Sequence, residues 1–183
     1  MKYPTSIIGA GLRAGLVVSL LSFSAGQARA LDLGSLTQKA AGAAGNAARD
    51  KAAKEANAKL LAEGRKNQCS FKTDSDELAP GCDGKLKKLA DALVEVKKRL
   101  KVAGVTSYKF EVSGHTDSSG KADHNKELSG KRAAVIVKEL TARGIASNEI
   151  ISLGMGSERP LVTPDNTPAK KAKNRRYEIQ VRF

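Results

Sequence analysis

Residues 108–132 change their apolar period once, and that change fixes most of what this chain can fold into. Tyr108, Phe110 and Val112 alternate with polar neighbours, the pattern of a half-buried strand ending near Ser113. Gly114 and Gly120 then bracket a short polar loop that holds Asp117. From about Asp123 the spacing is helical, which puts Asn125, Ser129 and Arg132 near one another on one face. A carboxylate on the loop therefore faces an arginine about two helical turns along. A planar guanidinium holds a carboxylate through two parallel hydrogen bonds, and Asp117 accepts from an ammonium, so the pair suits a zwitterion.

The two ends of the chain differ in kind. Residues 1–30 carry Lys2 and Arg13, an apolar run from Ala14 to Phe23, and the small-x-small site Ala28-Arg29-Ala30. This predicts a secretory signal peptide cleaved before Leu31; its core is too short to span a bilayer, and no later stretch could cross one as a helix. Residues 31–68 are rich in Ala, Lys and Gly with little to bury, which predicts a spacer, partly helical or disordered, able to dock on an outer-membrane or envelope protein. The net charge of +13 directs an exported chain towards anionic polymers. With 4% aromatic residues and no Trp, stacking on single-stranded nucleic acid is not expected. Export also makes a disulfide between Cys69 and Cys82 the expectation, worth about 3 kcal/mol on a chain-entropy account.

From residue 69 to 183 the pattern is that of one α+β domain. Strands are expected at 70–73, 106–113, 150–153 and 175–183. One helix, capped by Asp83, buries Leu86, Leu89, Leu93, Val96 and Leu100. A second, over about 123–143, buries Leu128, Val135, Ile136 and Leu140 and stops at Gly144. In the last strand Tyr177, Ile179, Val181 and Phe183 share one face, with Phe183 expected in the core. Helices gathered on one face of a mixed sheet satisfy that order.

Gly114-His115-Thr116-Asp117, Asn125, Leu128-Ser129, Arg132-Ala133 and Asn174-Arg175-Arg176 together resemble the OmpA C-terminal family, which includes peptidoglycan-associated lipoproteins and flagellar stator proteins. The resemblance implies a β-α-β-α-β-β two-layer sandwich with a four-stranded sheet, and non-covalent binding of the peptide stem of peptidoglycan. It also implies that Asp117 and Arg132 grip the diaminopimelate of the stem, with Asn125 and Arg175 assisting and Thr73 or Asp74 making lesser contacts. Lys72 stands where the family often has Asp, and the cysteine pair is not part of its motif.

Other chemistries are less well supported by the residues. His115, Asp117 and His124 do not follow a metal-ligand spacing, and no cofactor is expected. Ser113, His115 and Asp117 would share one strand face, where side chains run parallel and do not form a nucleophile-base-acid relay, so a non-enzymatic role is expected. The sequence thus predicts a periplasmic peptidoglycan-binding domain, peripheral to the outer membrane. The alternative is a scaffold or accessory subunit of a secretion, motility or outer-membrane complex.

Overall fold

The computed structural model describes residues 33–72 and 74–183, so the expected signal peptide and Thr73 lie outside the described residues. The elements run α1 (Leu33–Lys66), α2 (Asp83–Val102), β1 (Lys109–His115), α3 (Ala122–Ala142), β2 (Ile150–Gly154), α4 (Pro168–Asn174) and β3 (Arg176–Arg182). A single 3-10 turn, Ser147–Glu149, precedes β2. The sheet is mixed, in the order β2-β1-β3, with β1 parallel to β2 and antiparallel to β3. All five apolar residues expected from α2 are buried, and with Ile136 and Leu140 of α3 and Phe110, Val112, Tyr177, Ile179 and Val181 of the strands they form one core. This is the α+β architecture expected, with one correction.

Among the described residues the sheet has three strands, not four. In the segment expected to be the first strand, Phe71 makes one isolated bridge to Leu78, within a turn closed by the Ala79 N–H donating to the Ser70 carbonyl at 2.9 Å. The edge of β3 that a fourth strand would need is already taken by α1. Asn57 Nδ2 donates to the Val181 carbonyl (3.4 Å) and its Oδ1 accepts from the Val181 N–H (2.6 Å). Gln68 does the same at Tyr177, at 2.8 and 3.2 Å. A side-chain amide carries the same donor and acceptor as a peptide group, so these two residues pair the strand edge in place of a neighbouring backbone.

Residues 33–66 are therefore helical throughout, and the second half of α1 shares the core. Ala52, Ala56, Leu60 and Gly64 recur every four residues, a stripe of mostly small residues that lets α1 lie close to α2 and β3. Ahead of it, Gly42 and residues 45–51 are exposed.

Close approach also governs how α3 sits on the sheet. A Cβ placed on Gly114 would lie 2.2 Å from the Ser129 carbonyl oxygen, and one on Gly154 would lie 2.4 Å from the Lys126 carbonyl oxygen and 2.7 Å from Gly130 N. These two glycines bring the helix backbone down on the ends of β1 and β2. Gly130, costly for a helix interior, stands over Gly154 at this crossing. Of the residues expected to be buried in α3, Leu128 and Val135 are only half-buried, because the face lowered onto the sheet is that of Asn125, Ser129, Ala133, Ile136 and Leu140.

Three smaller expectations change. Phe183 is 59% exposed, since β3 ends at Arg182 and the ring lies beyond the sheet, 6.0 Å from the Arg49 guanidinium. Asp83 makes no capping bond; its carboxylate pairs with Arg143 at 2.5 Å. Cys69 and Cys82 are buried and free, not joined. The Cys69 thiol lies 3.8 Å from the Cys82 carbonyl oxygen, and its N–H donates to the Tyr177 hydroxyl, which holds the residue against β3. Burial, and then the neighbouring Cys82, push that thiol up to about 12.

Candidate functional site

The ends of β1 and β3, the start of α3, the turn after Phe71 and the last turns of α1 surround a hollow of about 1110 Å³. All five residues expected to bind ligand, Asp74, Asp117, Asn125, Arg132 and Arg175, line it. Alternation along a strand would admit only one of Arg175 and Arg176, yet both are lining residues. Arg175 is the residue that closes α4, before β3 begins, so strand alternation does not apply to it.

Asp117 is held from two sides. Its Oδ1 accepts from the Ser119 N–H at 2.9 Å, and its Oδ2 accepts from Arg175 Nη1 at 2.7 Å. Burial raises its pKa, but the bonds from Arg175 and Ser119 outweigh it and hold the carboxyl below its ordinary value. It is therefore a carboxylate at neutral pH, with about half of its lone-pair sites still open. Its ion-pair partner is Arg175 rather than Arg132.

Arg132 is turned towards the turn after Phe71. Its Nε donates to the Ser75 carbonyl at 2.8 Å, one Nη2 hydrogen reaches the Lys72 carbonyl at 3.4 Å, and its guanidinium lies 5.1 Å from the centre of the Phe71 ring. Burial lowers its pKa, while the charges of Asp74, Asp76 and Asp117 act the other way. Two of its five N–H donors serve this wall, which leaves donors for a carboxylate. Asp74 stands on the rim and meets His124 Nε2 at 2.9 Å, with its backbone in the left-handed region at φ 49°. Asn125 is buried and acts on the loop, donating to the Ser119 carbonyl at 2.8 Å.

The polar loop has a second support that the sequence reading missed. Buried Asp165 accepts from the Ser118 N–H and from Asn174 Nδ2, both at 2.9 Å, and also from the Ser118 hydroxyl. These bonds, those from Ser118 first, bring its pKa down to about 2. Asn174 in turn accepts from the Leu161 and Val162 N–H groups. Asp165 lies among prolines in a loop, where nothing local marks it; Asn174 stands in the Asn174-Arg175-Arg176 motif and was the available clue. On the helix side, the Ser129 hydroxyl accepts from the Gly156 N–H at 2.9 Å, and the Gly156 carbonyl accepts from the Thr116 N–H, tying the loop to α3.

Ser113 and His115 do meet, with 3.3 Å between Oγ and Nε2, but Asp117 is bound to Arg175 and Ser119, so these three do not form a relay. His115 is buried, and burial followed by the Arg176 charge lowers its pKa to about 4. Below pH 6.5 an unfolded chain protonates this ring while the native state does not, so stability is complete above 6.5 and is lost as the pH falls towards 4. The expected loss is about 3 kcal/mol over that window. Urea unfolding at a series of pH values should show it, and His115→Gln should flatten the curve between pH 6.5 and 4 while leaving the separate acid limb from Asp165 below pH 3.8.

Comparison with known proteins bears on the same region. The OmpA family model matches residues 70–175. The chain is 37% identical over 112 residues to the peptidoglycan-binding protein ArfA of Mycobacterium tuberculosis, covering 61% of this chain and 31% of ArfA. It is 34% identical over 111 residues to outer membrane porin F of Pseudomonas fluorescens, covering 61% of this chain and 31% of that protein. It thus spans about a third of the length of these curated relatives. Among solved structures, the peptidoglycan-associated lipoprotein from Burkholderia pseudomallei superposes with a TM-score of 0.52 at 22% identity, over 63% of this chain and 89% of that one, a likeness of fold. With the family match extending over more than half of its residues, from the turn that carries Phe71 to Arg175 beside Asp117, this chain belongs to the OmpA family.

Proposed function

We propose that this chain binds peptidoglycan without covalent attachment and takes the diaminopimelate of the stem peptide between Asp117 and Arg132. The observation that carries the reading is the pair of opposite charges on one hollow, each with bonding capacity left over. The side chain of diaminopimelate ends in an ammonium and a carboxylate on one carbon. The ammonium adds to the open lone pairs of Asp117, and the carboxylate meets the remaining N–H groups of Arg132, with Arg175 close enough to share it. The name of the relative ArfA, a peptidoglycan-binding protein, supports the wall-binding part of this reading. The setting proposed is the periplasm, reached through the cleavable signal peptide over residues 1–30, with a peripheral association to the outer membrane. Among the described residues no helix is long and apolar enough to cross a membrane.

The test is a pull-down with purified sacculi, followed by release with free meso-diaminopimelate. The protein should sediment with the wall material and return to the supernatant as the amino acid is added, and lysine at equal concentration should not displace it. Sedimentation that ignores meso-diaminopimelate would overturn the assignment.

A second reading is favoured by α1. The helix has 34 residues, about 51 Å at the usual rise, and among the described residues those of it that join the core, Ala52, Ala56 and Leu60, lie in its second half. Its first half is suited to dock on an envelope complex, with the domain serving as anchor. Ionic strength separates the two readings. Attachment through dispersed basic charge should fall steeply as salt is raised, and capture in a largely desolvated pocket should resist it.

A further inference from the structure

We infer that the ligand site continues past the Asp117–Arg132 end onto α1, where Arg65, with Lys173 of α4, holds a second carboxylate of an acidic peptide. The inference rests on the zwitterion reading above and extends it to the rest of the ligand. The hollow measures about 1110 Å³, slightly above the roughly 300–1,000 Å³ that small-molecule sites occupy, so one amino acid leaves most of it unfilled. Its cationic lining residues are Arg65, Lys72, Arg132, Lys173, Arg175 and Arg176, against the acids Asp74, Asp117 and Glu178.

Most of these cations are committed. Lys72 pairs with Glu77, Arg175 with Asp117 and Arg176 with Glu178, and Arg132 is bonded to the carbonyls of Ser75 and Lys72. Arg65 and Lys173 are exposed and, among the described residues, make neither an ion pair nor a side-chain hydrogen bond. They come from different elements, α1 and α4, yet line one space. Two uncommitted cations facing a hollow that already holds its own ion pairs call for an anion from outside.

A further observation points to a peptide. His115 Nδ1 and Thr116 Oγ1 are buried without a hydrogen-bond partner, and both residues belong to the same lining. Buried polar atoms normally find partners, and a peptide backbone brings N–H and C=O groups at short intervals. A stem peptide has this chemistry: amide groups, a zwitterionic side chain and further free carboxylates. Cations in a last helical turn also answer the helix dipole, which accounts for Arg65 and Lys66 alike. Only Arg65 lines the hollow, while Lys66 pairs with Glu63 at 3.4 Å. Arg65 also lies outside the family match at 70–175, so its place depends on Asn57 and Gln68 holding α1 on β3.

The experiment is calorimetric titration of the full chain with three probes: meso-diaminopimelate, the tripeptide L-alanyl-γ-D-glutamyl-meso-diaminopimelate, and the same tripeptide with its glutamyl α-carboxylate amidated. The wild type should prefer the free carboxylate to the amide by at least about tenfold, the scale of a charged hydrogen bond. The double variant Arg65→Gln/Lys173→Gln should lose that preference and bind meso-diaminopimelate as the wild type does, and Lys66→Gln should keep the preference. The inference is overturned if the wild type does not discriminate, if the double variant weakens all three probes equally, or if Lys66→Gln acts like it. Failure of the wild type to bind meso-diaminopimelate would remove the proposed function itself, whereas binding it with no carboxylate preference would remove only the α1 subsite.

Discussion

Asp117→Asn is expected to weaken binding to sacculi and to meso-diaminopimelate by about thirtyfold or more, the usual consequence of removing a mostly buried, hydrogen-bonded charge from a charge pair. Asparagine keeps an oxygen for the Ser119 N–H at 2.9 Å, so the loop should hold its shape while the site loses its negative charge. It also strands Arg175, whose partner in the structure is the same carboxylate. A ligand ammonium would then meet an unneutralised guanidinium instead of an anion. Arg132→Ala should cost as much by a different route, because this side chain holds the Ser75 and Lys72 carbonyls as well as facing the hollow. Arg132→Lys separates the two roles: it retains the charge but loses the planar fork, and should recover only part of the affinity. Titration calorimetry reads all three variants. Wild-type affinity in Asp117→Asn would remove the zwitterion site.

Gly154→Ala is expected to destabilise the fold by about 3 kcal/mol or more, near the top of the range for overpacking. The added methyl would lie within 3 Å of the Lys126 carbonyl oxygen and of Gly130 N and Cα, all backbone atoms of α3, which cannot turn aside as a side chain does. The helix must lift from the sheet, and Asn125, Ser129 and Arg132 lift with it, so ligand binding should fall too. Gly130→Ala, in the facing helix, should do the opposite. Its Cβ would have no neighbour closer than 3.7 Å, so the helix propensity of alanine can add up to about 1 kcal/mol. Urea denaturation of the two variants side by side gives the signs. A Gly154→Ala protein as stable as the wild type would mean that α3 does not sit where the close approach puts it.

Four of the five binding candidates fall at positions whose local structure the sequence itself dictates: Asp117 in a loop bracketed by glycines, Asn125 and Arg132 on one helix face, Arg175 just ahead of an alternating strand; Asp74 rested on the family resemblance alone. The meeting of Asp117, Asn125 and Arg132 follows from the order strand, loop, helix, whereas Asp74 and Arg175 were expected there only because the family resemblance implies it. Their pairing did not follow. Asp117 has Arg175 as its ion partner and Arg132 turns to the Phe71 turn, because partner choice among several nearby cations depends on distances set by packing. The Asp165 clamp on Ser118 was hidden for the same reason, since its partners lie 47 and 9 positions away.

By itself the sequence determined the local periods: where strands alternate, where α2 and α3 turn their apolar faces, and where Gly144 stops a helix. These depend on neighbours within a few residues, and such interactions are written in spacing. Only the tertiary structure decided who occupies the outer edge of β3. Residues 70–73 have the alternation of a strand, but Asn57 and Gln68 bring two amides to Val181 and Tyr177, and an edge has only one row of backbone groups to give. The contest was between segments far apart in the chain, and it turned α1 from an expected spacer into a wall of the hollow.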